Sequence, residues 1–589
     1  MIKRTLFFLS SASLIGMVAG LAWIFYLSPR PYDISFIQPD MKIFNKAPAT
    51  MNHRGTSEGL YWLSFKTPAR TFALNKLILR TRNCIHSLST DNKEWSEISK
   101  SCDNKKGLSL ENTGQELAKD TQWHFAGSTR GDLHGVILDK DWSEPKLAAG
   151  LLFFLLSLAL FIFAVIPADD SVERGFVTFI LIGAFLLRFW FVFIISPPEL
   201  SLFSDMGAYF QRAWEISRHS FNVNQLFQPV GFTLWSQQIR DLGGFELFNW
   251  TQVFLSWGIV LFIYLMARER FGRLAGAVAV LFAAIHIPQA AMASMHLAEN
   301  IYGFFLTMSL WVILRTLKTE KLSGYFLTGI LLMLSFYFKG NHAFFIPIFS
   351  LWLLYQHRQN FFKGSLKVLV LGLGCMLVAA PHLAWTQMNY GKAFLGPTAG
   401  ALNFVEGKCP SKDNQDSQGN RWMSPLFHVT GEKTFKQWPR PFTDQNYFWK
   451  EGFKCVAAEP MVLGTSLRYI YYLFGGNMLW PIGETPMRSL FLEWEKFFLF
   501  ALLPFTLVGA LVYARRKDDF SEVAALLMLS LFLTVWFFKS ENRLRVPFDA
   551  VLIIWSAVGY AWALEKLKVL ARLMRGEASG DLWDAIFRF

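Results

Sequence analysis

The sequence predicts an α-helical polytopic membrane protein of about twelve spans, with a small β-rich exterior domain inserted between the first two helices. Of its 589 residues, 53% are hydrophobic and only 17% are charged. Apolar runs of about 17 to 24 residues, the length that crosses roughly 30 Å of hydrocarbon as a helix, recur along the chain. Lysine and arginine gather in alternate connections between those runs, as insertion topology requires.

Residues 1–27 open with Lys3-Arg4 and continue as a long apolar run, read as an uncleaved membrane anchor in preference to a signal peptide. Residues 28–145 form the β-rich domain: "GLYWLSF", "KLILRT" and "LHGVILD" alternate apolar with polar residues, and "STDNKE" and "CDNKKG" supply turns. The second span occupies 146–170. A membrane core follows over 171–390, with spans starting near Phe176, Phe248, Gly272, Ile301, Tyr325, Ala343 and Val368. Residues 391–492 make a large exterior loop domain. The last spans, over 493–566, start near Phe497, Val523 and Ala550, and residues 567–589 read as a cytoplasmic amphipathic tail.

With Lys3-Arg4 inside, "ARERFGR", "RTLKTEK", "HRQNFFKGSLK", "YARRK" and "EKLKVLAR" all fall on the cytoplasmic side. The net charge of +13 is largely explained by those turns and gives no reason to expect nucleic acid as a partner. The same count leaves Lys539, Arg543 and Arg545, in "FFKSENRLRVPFDAV", in a short exterior turn that the positive-inside bias disfavours, so an anion is expected opposite them. The cysteines fit this topology: Cys84 and Cys102 fall in one exterior segment, Cys409 and Cys455 in another, and Cys375 in a span. Two disulfides and one free thiol are expected.

In the loop after the third span, "PPELSLFSDMGAYFQRAWEISRHS" sets Asp205 and Tyr209 four apart, on one face of a helix at the membrane boundary. A carboxylate there also suits a helix N-cap. From this point several segments follow in order: Arg188 in "LLRFWFVF", Asp205 and Tyr209 in "SDMGAYFQRAW", a Pro-Gly element in "QPVGFTLWSQQIRDLGG", Glu299 in "HLAENIYGFF", the segment "APHLAWTQMNYGKAFLGPTAGALNFVEG", and the turn "ENRLRVPFDAVLIIW". Over roughly 176–564 this resembles the GT-C class of integral-membrane glycosyltransferases, which holds the protein O-mannosyltransferases and the aminoarabinose transferase of lipid A. Two positions depart from that pattern: Lys339-Gly340 where relatives often show Arg-Pro, and Trp385-Thr-Gln-Met-Asn389 where they often show Trp-x-x-Arg-Asn.

The resemblance implies a GT-C-like fold and an inverting transfer of a sugar from a polyprenyl-phosphate donor to an extracytoplasmic glycan, lipid or protein. It implies a multi-pass plasma membrane protein of bacterial inner-membrane type, its active site on the periplasmic face. Asp205 and Glu299 are then the catalytic carboxylates, the first as general base. Arg543, Arg545 and Lys339 bind the donor phosphate, the arginines through planar forks suited to phosphate oxygens. Tyr209, His296 and His342 are substrate-binding candidates near the same face. Divalent-metal dependence stays open, since some members need a metal and others do not. Membrane lipids are the remaining expected partners. Two alternatives use related chemistry: a transporter or flippase of lipid-linked sugars, and an O-antigen ligase or polymerase with a diphosphate-linked donor. No phosphate loop, CxxC or HExxH element, and no GxSxG in a strand-turn-helix setting, points elsewhere.

Overall fold

The computed structural model describes residues 2–27, the strands between 43 and 140, and 145–167, 169–198, 205–217, 221–409, 413–423, 435–475, 488–516 and 518–575. Two compact units divide the chain. One comprises Met1–Ile182, Pro197–Gly207 and Ser236–Thr251; the other comprises Gly183–Ser196, Ala208–Trp235 and Gln252–Phe589.

The first unit begins with α1 (Ile2–Leu27), which packs along α2 (Pro145–Val165). The two come close where small residues leave room, as membrane helices without a hydrophobic drive between them require. Trp23 donates to the Lys146 carbonyl at 3.2 Å near one end of the pair. The three alternating segments singled out in the sequence are strands: β2 (Leu60–Lys66), β3 (Leu74–Thr81) and β8 (Leu133–Lys140). With β1 (Ile43–Phe44), β4 (Ile85–Ser89), β5 (Ser96–Glu97), β6 (Leu108–Glu111) and β7 (Gln122–Gly127) they build two antiparallel sheets, ordered β1-β2-β7-β4-β5 and β6-β3-β8. The expected Cys84–Cys102 bridge lies outside the described residues.

The second unit holds the rest of the helical bundle. Its helices are α3 (Ser171–Trp190, from Gly183 on), α4 (Asp205–Ser217, from Ala208 on), most of α5 (Val230–Ala284), α6 (Ile287–Ala293), α7 (Glu299–Thr319), α8 (Leu322–Phe338), α9 (Phe345–Gln356), α10 (Phe361–Tyr390) and α11 (Ala399–Lys408). After the short strands β9 (Asp413–Gln415), β10 (Arg421–Met423) and β11 (Phe435–Gln437) come α12 (Gln445–Ala458), α13 (Met461–Thr465), α14 (Arg468–Gly475), α15 (Arg488–Phe497), α16 (Leu503–Arg516), α17 (Asp519–Phe537) and α18 (Asp549–Met574).

Among the described residues eight helices are long and apolar enough to cross a membrane, and three of the expected spans are shorter apolar helices: Leu9–Ile24, Leu322–Phe338 and Phe345–Gln356. The spans expected near Phe248 and Gly272 fall within the single run α5. Its 55 residues would reach about 80 Å if straight, far beyond a bilayer. Gly272 resolves this: at φ +86° it adopts a conformation that glycine alone enters readily, and the chain turns back so that Ile263 and Ala283 face one cavity. The protein is a multi-pass, mainly helical membrane protein.

Candidate active site

Three helix ends and one turn supply a group of charges within the second unit. Glu299 is the first residue of α7, where the positive end of the helix dipole favours a carboxylate. Lys339 follows the last turn of α8 in an extended conformation. Glu406 lies two residues before the end of α11. The turn between α17 and α18 carries Lys539, Glu541 and Arg543, the last in the 3-10 turn Asn542–Leu544.

These six side chains alternate in sign along one path. Glu406 Oε2 accepts from Lys539 Nζ at 2.6 Å, and Lys539 Nζ also lies 3.6 Å from Glu541 Oε1. Arg543 Nε donates to Glu541 Oε2 at 2.6 Å and stands 3.6 Å from Glu299 Oε1. Lys339 Nζ closes the path on the same Glu299 oxygen at 2.6 Å. Glu299 and Glu406 are fully buried, whereas the Glu541 side chain keeps 35% of its surface. Burial would raise the Glu541 carboxyl, but Arg543, Lys539 and Lys339 outweigh it and hold it down to about 2. Burial would likewise lower the Lys539 ammonium, but Glu406 and Glu541 raise it to about 12.

The path depends on a close backbone approach. A Cβ on Gly407 would lie 1.5 Å from the Phe538 carbonyl oxygen, so only glycine lets α11 press Glu406 against Lys539. The next residue, Lys408, donates to Ser466 Oγ at 2.6 Å and to the Trp536 carbonyl at 2.5 Å. Cys409 then forms the expected disulfide with Cys455, with Cα atoms 5.4 Å apart. Cys375 is the free thiol expected.

The arginine pair divides. Arg543 joins the charge path, but Arg545 turns into the bundle and is 1% exposed. Its Nε donates to Asp549 Oδ1 at 2.9 Å, its Nη1 to the Leu473 carbonyl at 3.0 Å, and its Nη2 to Glu495 Oε1 at 3.4 Å. Asp549 Oδ2 in turn meets His286 Nε2 at 3.1 Å. Arg545, expected to contact the donor phosphate, stands four residues before Asp549 on a helical path, so its fork meets a carboxylate of its own chain.

His342, a substrate-binding candidate in the sequence, has both ring nitrogens engaged. Its Nδ1 meets the Tyr302 hydroxyl at 3.2 Å and its Nε2 the Leu332 carbonyl at 3.1 Å, so both nitrogens serve the packing of α7 against α8. His296 is fully buried beside Phe232, centroids 5.1 Å apart, and Phe232 packs on Tyr209 at 4.9 Å. That aromatic column seats the second turn of α4 three residues before Glu299. Asp205 opens α4 in the first unit, half-buried, one turn before Tyr209.

Sequence reasoning missed Glu406, set Lys539 beside Arg543 as an exterior cation expected to face an anion, and gave Glu541 no site role. Lys539 and Glu541 were legible as charges in a short turn. Nothing local marks Glu406, whose partner lies 133 residues away. Among the described residues no group of three His, Cys, Asp or Glu side chains is arranged to hold a metal ion, and Glu299 is already engaged by two cations.

Residues 238–385 match the model of the dolichyl-phosphate-mannose-protein mannosyltransferase family. The match covers about a quarter of the chain. The matched stretch includes Glu299 and Lys339 and ends before α11 and the turn bearing Arg543. No curated protein matches the chain significantly. Among solved structures, the oligosaccharyltransferase of Archaeoglobus fulgidus tethered to an acceptor peptide is 14% identical, at a TM-score of 0.39 over 71% of this chain and 53% of that one. The chain therefore spans about half the length of that relative. ArnT from Cupriavidus metallidurans, bound to undecaprenyl phosphate, is 10% identical, at a TM-score of 0.28 over 70% of this chain and 84% of that one.

Proposed function

We propose that this GT-C chain is an inverting glycosyltransferase that moves a sugar from a polyprenyl-phosphate donor to an extracytoplasmic acceptor, on the periplasmic face of a bacterial inner membrane. The observation that carries the proposal is the convergence of Lys339 and Arg543 on one oxygen of Glu299. Glu299 holds two cations near each other at helix ends, where a lipid phosphate with its tail in the bilayer would arrive. The matched family's description names such a donor, dolichyl-phosphate mannose.

In the proposed step the donor phosphodiester takes the place of Glu541 on Arg543 and gains Lys339 as its second contact. A charge-assisted fork of this kind is the strongest neutraliser a protein offers a phosphate. Asp205 accepts the proton of the acceptor hydroxyl or amine as that atom attacks the anomeric carbon from the face opposite the phosphate. The bond from anomeric carbon to phosphate oxygen breaks, and its electron pair leaves with polyprenyl phosphate. Arg543 and Lys339 stabilise the charge that develops on that oxygen. Glu299 acts by placing the cations.

The test is to incubate the purified full chain with a panel of polyprenyl-phosphate sugars and to follow released polyprenyl phosphate. Release that depends on Asp205 and Arg543 supports the proposal. Absence of release with every donor and acceptor class offered, from protein that still binds polyprenyl phosphate, would turn the assignment toward lipid transport.

A further inference from the structure

We propose that the corner where the turn between α7 and α8 meets the start of α10 docks the phosphate headgroup of an anionic phospholipid, in the leaflet opposite the one that meets the charge path. α7 fixes the location: its 21 residues, from Glu299 to Thr319, rise about 32 Å, the thickness of a hydrocarbon core. Glu320 therefore leaves the membrane at the face opposite Glu299. α8 returns from Leu322 to Phe338 and Lys339, and α10 starts beside the turn, where Lys363 Nζ meets Glu320 Oε2 at 2.6 Å and Lys367 Nζ meets Glu320 Oε1 at 3.2 Å.

One carboxylate thus serves two ammoniums, and three more cations adjoin these residues in the chain. Lys318 and Lys321 lie on either side of Glu320, and Arg358 follows His357, all three exposed. His357 adds no negative charge: its Nε2 lies 2.7 Å from Lys367 Nζ, and because an ammonium only donates, that nitrogen accepts. The acids that α17 brings to this face have other partners. Glu522 accepts from Trp352 Nε1 and Gln356 Nε2 at 2.8 and 2.7 Å, and Asp518 and Asp519 lie 3.7 and 4.0 Å from the Arg270 guanidinium. The corner keeps an excess of positive charge.

Its parts are fixed in place. Lys367 is 1% exposed, its ammonium held by Glu320, by His357 and over the Tyr325 ring at 5.2 Å. Glu320 ends α7 at φ +54°, a left-handed conformation uncommon outside glycine. The bias that keeps lysine and arginine on one side of a membrane accounts for cations in water, but not for a buried lysine sharing a carboxylate with its neighbour. Phe361 and Phe362, the first two residues of α10, are 64% and 80% exposed beside the half-exposed Lys363. Exposed rings next to cations at the end of an apolar helix suit a lipid, whose phosphate meets the cations and whose chains meet the rings. A free phosphate offers the rings nothing.

The experiment is native mass spectrometry of the detergent-solubilised full chain titrated with dioleoyl phosphatidylglycerol, with dioleoyl phosphatidylcholine as the neutral lipid and glycerol 3-phosphate as a headgroup without chains. The anionic lipid should be retained about tenfold more strongly than the neutral one, and glycerol 3-phosphate should not displace it. Arg358→Gln combined with Lys363→Gln should lower its retention about tenfold, and Lys321→Gln, a change at an exposed position, about threefold. Arg543→Ala should leave retention unchanged, since that arginine serves the other face. Equal retention of the two lipids, displacement by glycerol 3-phosphate, or undiminished retention in the folded variants overturns the proposal, as does a loss of retention confined to Arg543→Ala. No turnover is measured, so sugar transfer stands or falls by the release assay alone.

Discussion

Arg543 Nε lies 2.6 Å from Glu541 Oε2 and 3.6 Å from Glu299 Oε1, so one guanidinium spans a buried carboxylate and a partly exposed one. The buried partner fixes the arginine, and the exposed one occupies the direction a ligand anion would take. Under the proposed transfer, Glu541 would compete with the donor phosphate for Arg543 while partnering the cations.

Replacing Glu541 with Gln should tighten binding of polyprenyl phosphate, because Arg543 then gives up no ion pair when the lipid arrives. The variant should also be less stable, since Lys539 loses one of its two carboxylates. Titration calorimetry in detergent measures the first effect and thermal unfolding the second. Unchanged or weaker lipid binding would falsify the competition.

The two arginines should behave oppositely. Arg543→Lys should impair donor use despite its retained charge, since an ammonium cannot reproduce a planar fork, and Arg543→Ala should be worse by about 1 to 3 kcal/mol. Both variants should fold. Arg545→Ala takes the guanidinium from buried Asp549, which keeps His286, and from half-buried Glu495, and should cost about 3 to 5 kcal/mol of stability, lowering yield before activity per folded molecule. Parallel measurement of donor affinity and unfolding temperature separates them, and equal behaviour of the two would dissolve the distinction.

Asp205→Asn should leave folding and insertion intact while lowering turnover by about a hundredfold to ten-thousandfold, the usual loss with a general base. Donor affinity should hold. Wild-type turnover in this variant would leave Asp205 as the cap of α4 and nothing more.

Stability should follow pH on two limbs. The Glu541 pKa is lowered from 4.5 to about 2 on folding, so its contribution is full above pH 4.5 and fades as pH falls toward 2. The Lys539 pKa is raised from 10.5 to about 12, so its contribution is full below pH 10.5 and fades as pH rises through 12. Unfolding temperature measured from pH 2 to 12 should thus show a plateau between the two limbs. Glu541→Gln should flatten the acid limb, and an unaltered acid limb in that variant would place the transition on other carboxylates.

The helices and most of the site's charges were legible because apolar length and short charged turns are local properties of a sequence. "FFKSENRLRV" announced cations in an unfavoured place, and Glu299 and Lys339 stand at the ends of unmistakable apolar runs. What could not be read was direction. Arg543 and Arg545 are two residues apart and chemically alike, yet one faces Glu299 and the other Asp549, because the 3-10 turn over 542–544 rotates successive side chains to different sides. Glu406 was invisible for another reason: a buried acid in "ALNFVEGK" looks like a surface helix residue until Lys539 is brought to it by tertiary contact. For His342 only the fold reveals that Tyr302 and Leu332 meet both its nitrogens.

The separation of Glu406 from Lys539 along the chain has a consequence for biogenesis. Synthesis delivers Glu299, Lys339 and Glu406 to the translocon well before Lys539, Glu541 and Arg543 exist, and until then Glu406 is a carboxylate without its cation. The charge path is therefore completed only by the last tenth of the polypeptide, and a chain truncated before residue 539 lacks three of its six charges.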